Sequence, residues 1–169
     1  RYARAAEFHD VVRGIWDSWD DDAIIRDAES GRYIDPAKMH ILHHKGERFS
    51  VRGPLNIARP PQGHPIVAQA GSSEPGRALA ARTADVVFTA QVDIAEAKAF
   101  YDDIKRRMPA HGRQPDDLKI MPGIRFVLGA TQAEAQARYD MMAGEVSDDF
   151  ALMAIQRLSG GLDLRDFPL

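Results

Sequence analysis

No cysteine occurs anywhere in the 169 residues. That excludes disulfides, thiolate nucleophiles and thiolate-held metals, and it is the usage expected of a cytoplasmic protein. No apolar run approaches the roughly 18 residues that a membrane-spanning helix needs, so no membrane partner is expected. A basic excess is missing too. Lys and Arg number 22 against 25 Asp and Glu, a net charge of −3, whereas a nucleic-acid surface needs clustered Lys and Arg. What is present is ordinary: 44% hydrophobic and 28% charged residues, enough for one globular domain with a real core.

Helical spacing links Phe8, Val11, Val12, Ile15, Trp16 and Trp19. The spacing predicts an amphipathic helix over Tyr2–Trp19, ended by Asp20-Asp21-Asp22, with Phe8, Trp16 and Trp19 in the core. Residues 22–61 read as an irregular insertion rich in Gly, Pro, Asp and His, with one short hairpin around Gly46–Val51. So long a weakly patterned stretch is expected to be functional or packed against another part. From residue 62 onward strands and helices alternate. Strand Ile66–Ala70 leads to helix Glu74–Thr83, strand Val86–Thr89 to helix Ile94–His111, and strand Lys119–Val127 to helix Thr131–Val146. A last helix covers Asp149–Leu158, and a Pro-containing loop runs over Asp163–Leu169. Thr131 with Glu134 forms a capping box, Ser147 or Asp148 caps the last helix, and Gly112 ends the second crossover helix.

Alternation at this spacing predicts an α/β fold with parallel strands, either part of a (β/α)8 barrel or part of a doubly wound sheet. No Gly-x-Gly-x-x-Gly fingerprint is present, and the turn Gly71-Ser72-Ser73 lies at the C-terminal end of its strand. Both points favour a partial TIM barrel, roughly its second half. The expected organisation is one barrel domain over 1–169: helix 1–21, insertion 22–61, β-α units 62–169. The chain opens at Arg1 inside a helical pattern and is read as an internal piece of a longer protein. A half-barrel leaves open strand edges, so self-association is expected.

The Gly-Ser-Ser turn is the leading site. Gly71 lets backbone approach a ligand closely, Ser72 and Ser73 offer hydroxyls, and the helix N-terminus favours an anion such as phosphate. The plain alternative is a strand-to-helix turn with a serine N-cap. His40, His43 and His44 sit on no predicted helix and have no carboxylate at ligand spacing, so no metal is expected there. One of them facing a pocket is suited to substrate contact or proton transfer. Asp17 with Asp20–Asp22 lacks the Gly and Glu of an EF-hand loop and reads as a solvated helix end.

Several segments together carry a resemblance. They are Arg1–Phe8, Val11–Trp19, Asp35–Lys38, His44–Leu55, Arg59–Pro65, Gln69–Ser73, Arg157–Gly160 and Asp166–Leu169. The chain resembles the flavin-dependent monooxygenases of the bacterial-luciferase superfamily. Its branch is that of nitrilotriacetate monooxygenase component A, with the EDTA, dibenzothiophene-sulfone and long-chain alkane monooxygenases. The resemblance implies a (β/α)8 enzyme that uses reduced FMN (FMNH2), delivered by a separate NADH:FMN reductase, and O₂. The implied substrate is a small organic molecule such as an aminopolycarboxylate, a sulfone or an alkane. By position, Ser72 matches the serine at the FMN phosphate, with Gly71 and Ser73 in the same turn, and Tyr2 matches a tyrosine that contacts FMN. The first strands of such a barrel would precede Arg1, and the catalytic residues are expected there. The segment alone is therefore expected to be inactive and to bind FMN poorly. Two other readings stay open: a non-oxygenating flavin or F420 protein, and an inactive fragment that self-associates.

Overall fold

The computed structural model describes residues 1–158. The loop expected over Asp163–Leu169 and the motifs beyond Leu158 lie outside the described residues. The chain forms two compact units, one over Arg1–Gly123 and one beginning at Ile124.

The first unit opens with α1 (Tyr2–Trp16). This helix stops short of the predicted end at Trp19. Asp17 takes the C-cap position. The fully buried Ser18 donates its hydroxyl to Ile15 O at 2.6 Å and accepts Leu55 N–H at 2.9 Å. A serine bonded this way offers the backbone an alternative to the helical ladder. Trp19 leaves the helix, and its indole N–H donates to Leu55 O at 2.7 Å. Trp16 and Trp19 are half-buried. Phe8, expected in the core, is instead 56% exposed, with the Phe49 ring 5.9 Å away between centroids. Val11 is the buried residue of this helix.

The insertion carries two hairpins where one was predicted. Strands β1 (Ile24–Asp27) and β2 (Arg32–Ile34) pair antiparallel. Their turn is organised by Asp27, whose carboxylate accepts Glu29 N–H at 3.0 Å and the Ser30 hydroxyl. Strands β3 (His44–Lys45) and β4 (Ser50–Val51) form the expected second hairpin. Glu7 of α1 ties it down. Its carboxylate accepts N–H groups from Arg48 (3.0 Å) and Phe49 (2.8 Å) and lies 3.1 Å from His44 Nε2.

Burial pushes the Glu7 carboxyl up, but the bonds from His44, Phe49 and Arg48 together outweigh it and hold the group below the usual range. A depressed folded pKa stabilises above the unfolded value of about 4.3 and loses that contribution as pH falls through the folded pKa. The Glu7→Gln variant is therefore expected to be less stable than the parent at pH 7. The gap should shrink steadily in denaturation curves taken at successively lower pH. A gap independent of pH would show that the Glu7 charge contributes nothing.

Three strands form a parallel sheet in the order β5 (Ala68–Gln69), β6 (Val86–Thr89), β7 (Lys119–Pro122). Ala68 pairs with Val86, and Val86 with Lys119. Helix α2 (Glu74–Thr83) and strand β6 have the predicted bounds. Helix α3 (Ile94–Arg107) tightens into a 3₁₀ turn, Met108–His111, and Gly112 at φ +70° ends it as expected. β5 is shorter than Ile66–Ala70, because Val67 N–H turns to the Asp85 carboxylate at 2.8 Å. β7 stops at Pro122 rather than Val127, because its neighbour β6 ends at Thr89, the partner of Pro122.

The sheet's helix-side face makes the core. Ala80, Ala81, Ala84, Val87, Phe100, Ile104, Met108 and Leu118 pack together, with Ile120 against them. Period-two alternation sends Phe88 of β6 to the other face, where it is 52% exposed. Arg113 closes the end of α2 by donating to Ala81 O (3.1 Å) and Ala84 O (2.7 Å). The second unit holds α4 (Gln132–Gly144) and α5 (Asp148–Leu158). Thr131 caps α4 through Glu134 N–H at 3.2 Å, while Glu134 returns to Ala130 N–H at 2.8 Å rather than to Thr131. Ser147 caps α5 through Phe150 N–H at 3.3 Å. Among the described residues no helix is long and apolar enough to cross a membrane.

Candidate functional site

The turn Gly71-Ser72-Ser73 leaves the C-terminal end of β5 and opens α2. Ser73 is the N-cap, with φ −65° and ψ 158°, and its hydroxyl oxygen accepts Gly76 N–H at 3.3 Å. That same oxygen lies 2.9 Å from the Tyr2 phenol, 71 positions away in sequence. Packing of α1 on α2 makes this meeting possible, and an ion pair between Arg82 and Asp10 joins the two helices further along. Tyr2, Gly71 and Ser73 thus gather at one helix N-terminus. Ser72 sits exposed in the same turn, and so does Ser73. Neither hydroxyl is sealed inside protein.

Helix geometry leaves the first N–H groups of α2 without intrahelical acceptors. Pro75 has none to offer, and that of Gly76 goes to Ser73. The Glu74 N–H remains, along with the positive end of the helix dipole. The Ser73 and Tyr2 hydroxyls meet at the same helix end, and Ser72 is exposed in the same turn. Such a set suits an anion with several oxygen acceptors, and a phosphate monoester fits it.

Two residues of this site were missed from the sequence. Gly76 is buried in the first turn of α2. A Cβ placed there would stand 3.0 Å from the Tyr2 hydroxyl, 3.1 Å from Ser73 Oγ and 3.2 Å from Gly71 C. Any side chain at position 76 would require the phenol to give way by a few tenths of an ångström. The signal was available, since glycine costs about 1 kcal/mol against alanine within a helix and the rest of this one is alanine-rich. Arg77 is the second. Its guanidinium donates to Ser72 O at 3.1 Å, and its Nε lies 2.7 Å from Asp103 Oδ2. No local spacing links Arg77 to α3, so that contact was illegible.

Asp103 gathers further cations. Arg107 Nε is 3.1 Å from its Oδ2, and Arg106 also pairs with it. The carboxyl is 15% exposed. Burial pushes it up, and the guanidinium groups of Arg107, Arg77 and Arg106 outweigh that and hold it below its usual range. Arg107 also reaches Glu74, the first residue of α2, with Nη1 2.7 Å from Oε1.

The histidines do not converge. His40 pairs with Asp20 at 2.8 Å and His44 with Glu7 at 3.1 Å. His43 sits in the left-handed region at φ +49°. Carboxylates do stand beside two of them, but they come from distant positions that local spacing misses. Among the described residues no group of three or more His, Cys, Asp or Glu side chains is placed to hold a metal. Asp17 and Asp20–Asp22 line an open cleft of about 870 Å³ with His40 and Arg59. Arg59 pairs with Asp17 and Asp21 and Lys38 with Asp22, while His64 and His40 lie within hydrogen-bond distance of Asp17 and Asp20. The acidic run is thus an ion-paired surface as well as a solvated one, and it shares no residue with the Gly-Ser-Ser turn.

The sequence model of the luciferase-like monooxygenases matches residues 1–162. The chain is 51% identical over all 169 residues to nitrilotriacetate monooxygenase component A of Aminobacter aminovorans, covering 37% of that protein. It is 49% identical over its whole length to N-acetyl-S-(2-succino)cysteine monooxygenase of Bacillus subtilis (strain 168), covering 38% of it. Among solved structures, a riboflavin lyase with modified FMN and substrate riboflavin superposes with a TM-score of 0.90 at 33% identity, over 99% of this chain and 37% of that one. The chain thus spans little more than a third of the length of these relatives. On the match over residues 1–162, it belongs to the luciferase-like monooxygenase family.

Proposed function

We propose that the protein carrying this chain is an FMNH2-dependent monooxygenase, and that residues 1–169 supply the phosphate end of its flavin site. The observation that carries this reading is the 2.9 Å approach of the Tyr2 and Ser73 hydroxyls at the exposed N-terminus of α2. Tyr2, Gly71, Ser72 and Ser73 would hold the FMN phosphate. The flavin, when reduced, supplies the electrons for oxygen chemistry. This chain's residues anchor the cofactor's tail and so fix where its ring lies.

Three parallel strands with helices on one face fit a segment of a (β/α)8 barrel, here assigned to roughly its second half as part of a single domain. Catalytic side chains are assigned to the remainder of the protein. Reduced FMN comes from a separate NADH:FMN reductase, O₂ is the co-substrate, and the site of action is the cytoplasm. The protein works as a homo-oligomer. The two monooxygenases named above act, by name, on small molecules bearing several carboxylates, and a polycarboxylate is accordingly the proposed substrate class, ahead of a sulfone or an alkane.

The test is Ser72→Ala in the full-length protein. A hydrogen bond to a charged partner is worth about 1.5–3 kcal/mol, so FMN affinity should drop on the order of tenfold to a hundredfold, read by quenching of flavin fluorescence. Riboflavin, which has no phosphate, should bind as before. Unchanged FMN affinity would remove Ser72 from the site.

A further inference from the structure

An anion-binding helix N-terminus is weakened by a carboxylate of its own, and α2 begins with one. Glu74 is the first residue of the helix, directly after the Ser73 cap. A carboxylate there suits the helix dipole when the site is empty. With a phosphate seated at the same turn, the two negative groups repel. The structure answers this from α3. Arg107 lies in the last turn of that helix and places Nη1 2.7 Å from Glu74 Oε1. Its Nε is held by Asp103, 3.1 Å away. Asp103 is in turn 2.7 Å from Nε of Arg77, whose Nη1 donates to Ser72 O. Arg77, Arg106 and Arg107 face Glu74 and Asp103, three cations to two anions. These five side chains together carry one net positive charge, and Arg107 is the member that reaches the carboxylate at the turn.

We propose that Arg107 is a positioning residue that sets the preference of this site for a phosphorylated flavin over its dephosphorylated form, by holding and neutralising Glu74. This rests on the assignment of the FMN phosphate to the Gly-Ser-Ser turn. Arg107 does not touch the phosphate; it acts through Glu74. Asp103 orients Arg107 and also links it to the peptide of Ser72. Loss of the Arg107 charge frees Glu74 to repel the phosphate, while the ring end of the flavin is unaffected.

The experiment measures FMN and riboflavin affinities side by side in the full-length protein, for the parent, Arg107→Gln, Glu74→Gln and the double variant. Arg107→Gln is expected to lower the FMN-to-riboflavin affinity ratio about fivefold at low salt, the size of effect one charge has at a helix terminus. The deficit should shrink at high salt. Adding Glu74→Gln to Arg107→Gln should restore the ratio. A purely structural role for Arg107 would weaken both ligands alike and give no rescue, and that outcome overturns the proposal. So does an unchanged ratio in Arg107→Gln. Failure of the underlying assignment looks different: the parent protein itself would show no preference for FMN over riboflavin.

Discussion

Replacing Gly76 by valine is expected to cost the protein most of its grip on FMN. A Cβ alone would stand 3.0 Å from the Tyr2 hydroxyl and 3.1 Å from Ser73 Oγ, and valine adds two branches on a stiff χ1. The phenol must withdraw, the 2.9 Å contact between Tyr2 and Ser73 is lost, and the turn is pushed from the position proposed to receive the anion. Overpacking of this kind costs about 1–3 kcal/mol, and here it falls on the contact between α1 and the Gly-Ser-Ser turn. FMN affinity should fall at least about tenfold, while riboflavin affinity changes less. The helix itself gains from the exchange, since glycine is the poorer helix former, so a general unfolding of α2 is not the expected cause. Titration of both flavins against parent and variant decides it. Equal FMN affinities would show that the close approach at Gly76 serves packing alone.

The second large effect is on stability. Ile104 of α3 is fully buried and belongs to the cluster formed by Ala80, Ala81, Ala84, Val87, Phe100, Met108 and Leu118. Three of those neighbours are alanines, which have no side-chain freedom with which to close a gap. Ile104→Ala should therefore sit in the upper part of the range for buried aliphatic truncations, about 3–4 kcal/mol. Ile104→Val should lose only about 1 kcal/mol. Urea titrations of both variants measure this. A loss under about 1 kcal/mol for Ile104→Ala would mean that the sheet and its helices do not share one core.

The bounds of α2 and β6 were legible because each is marked locally. A serine and a proline open α2, and a short β-branched run makes β6. The two-hairpin insertion was legible only in its second half. Its first hairpin depends on Asp27 folding back on Glu29 and Ser30, a turn signal that was present in the sequence but had no strongly alternating strands beside it. The end of α1 was misplaced because the decisive bond joins Ser18 to Leu55, across the insertion. Phe8 was misplaced because helical spacing identifies a stripe but not whether anything covers it.

At the site, the local half was readable and the distant half was not. Gly71, Ser72 and Ser73 announce a turn that can hold an anion. The arrival of Tyr2 follows from α1 lying against α2, which spacing alone does not reveal; only the family resemblance placed it there. Arg77 and Glu74 were silent for the same reason, since they meet Asp103 and Arg107 across two helices. The Asp103–Arg107 pair itself lies within α3 at i, i+4 spacing, which reads in sequence as an ordinary surface ion pair.

The central claim is that the turn after β5 receives the phosphate of FMN. A crystal structure of the full-length protein with FMN tests it most directly. The phosphate should lie in front of α2, within hydrogen-bond distance of Ser72 and Ser73 and of the Tyr2 hydroxyl. A phosphate bound elsewhere, with Ser73 still engaged only by Tyr2 and Gly76, would contradict it.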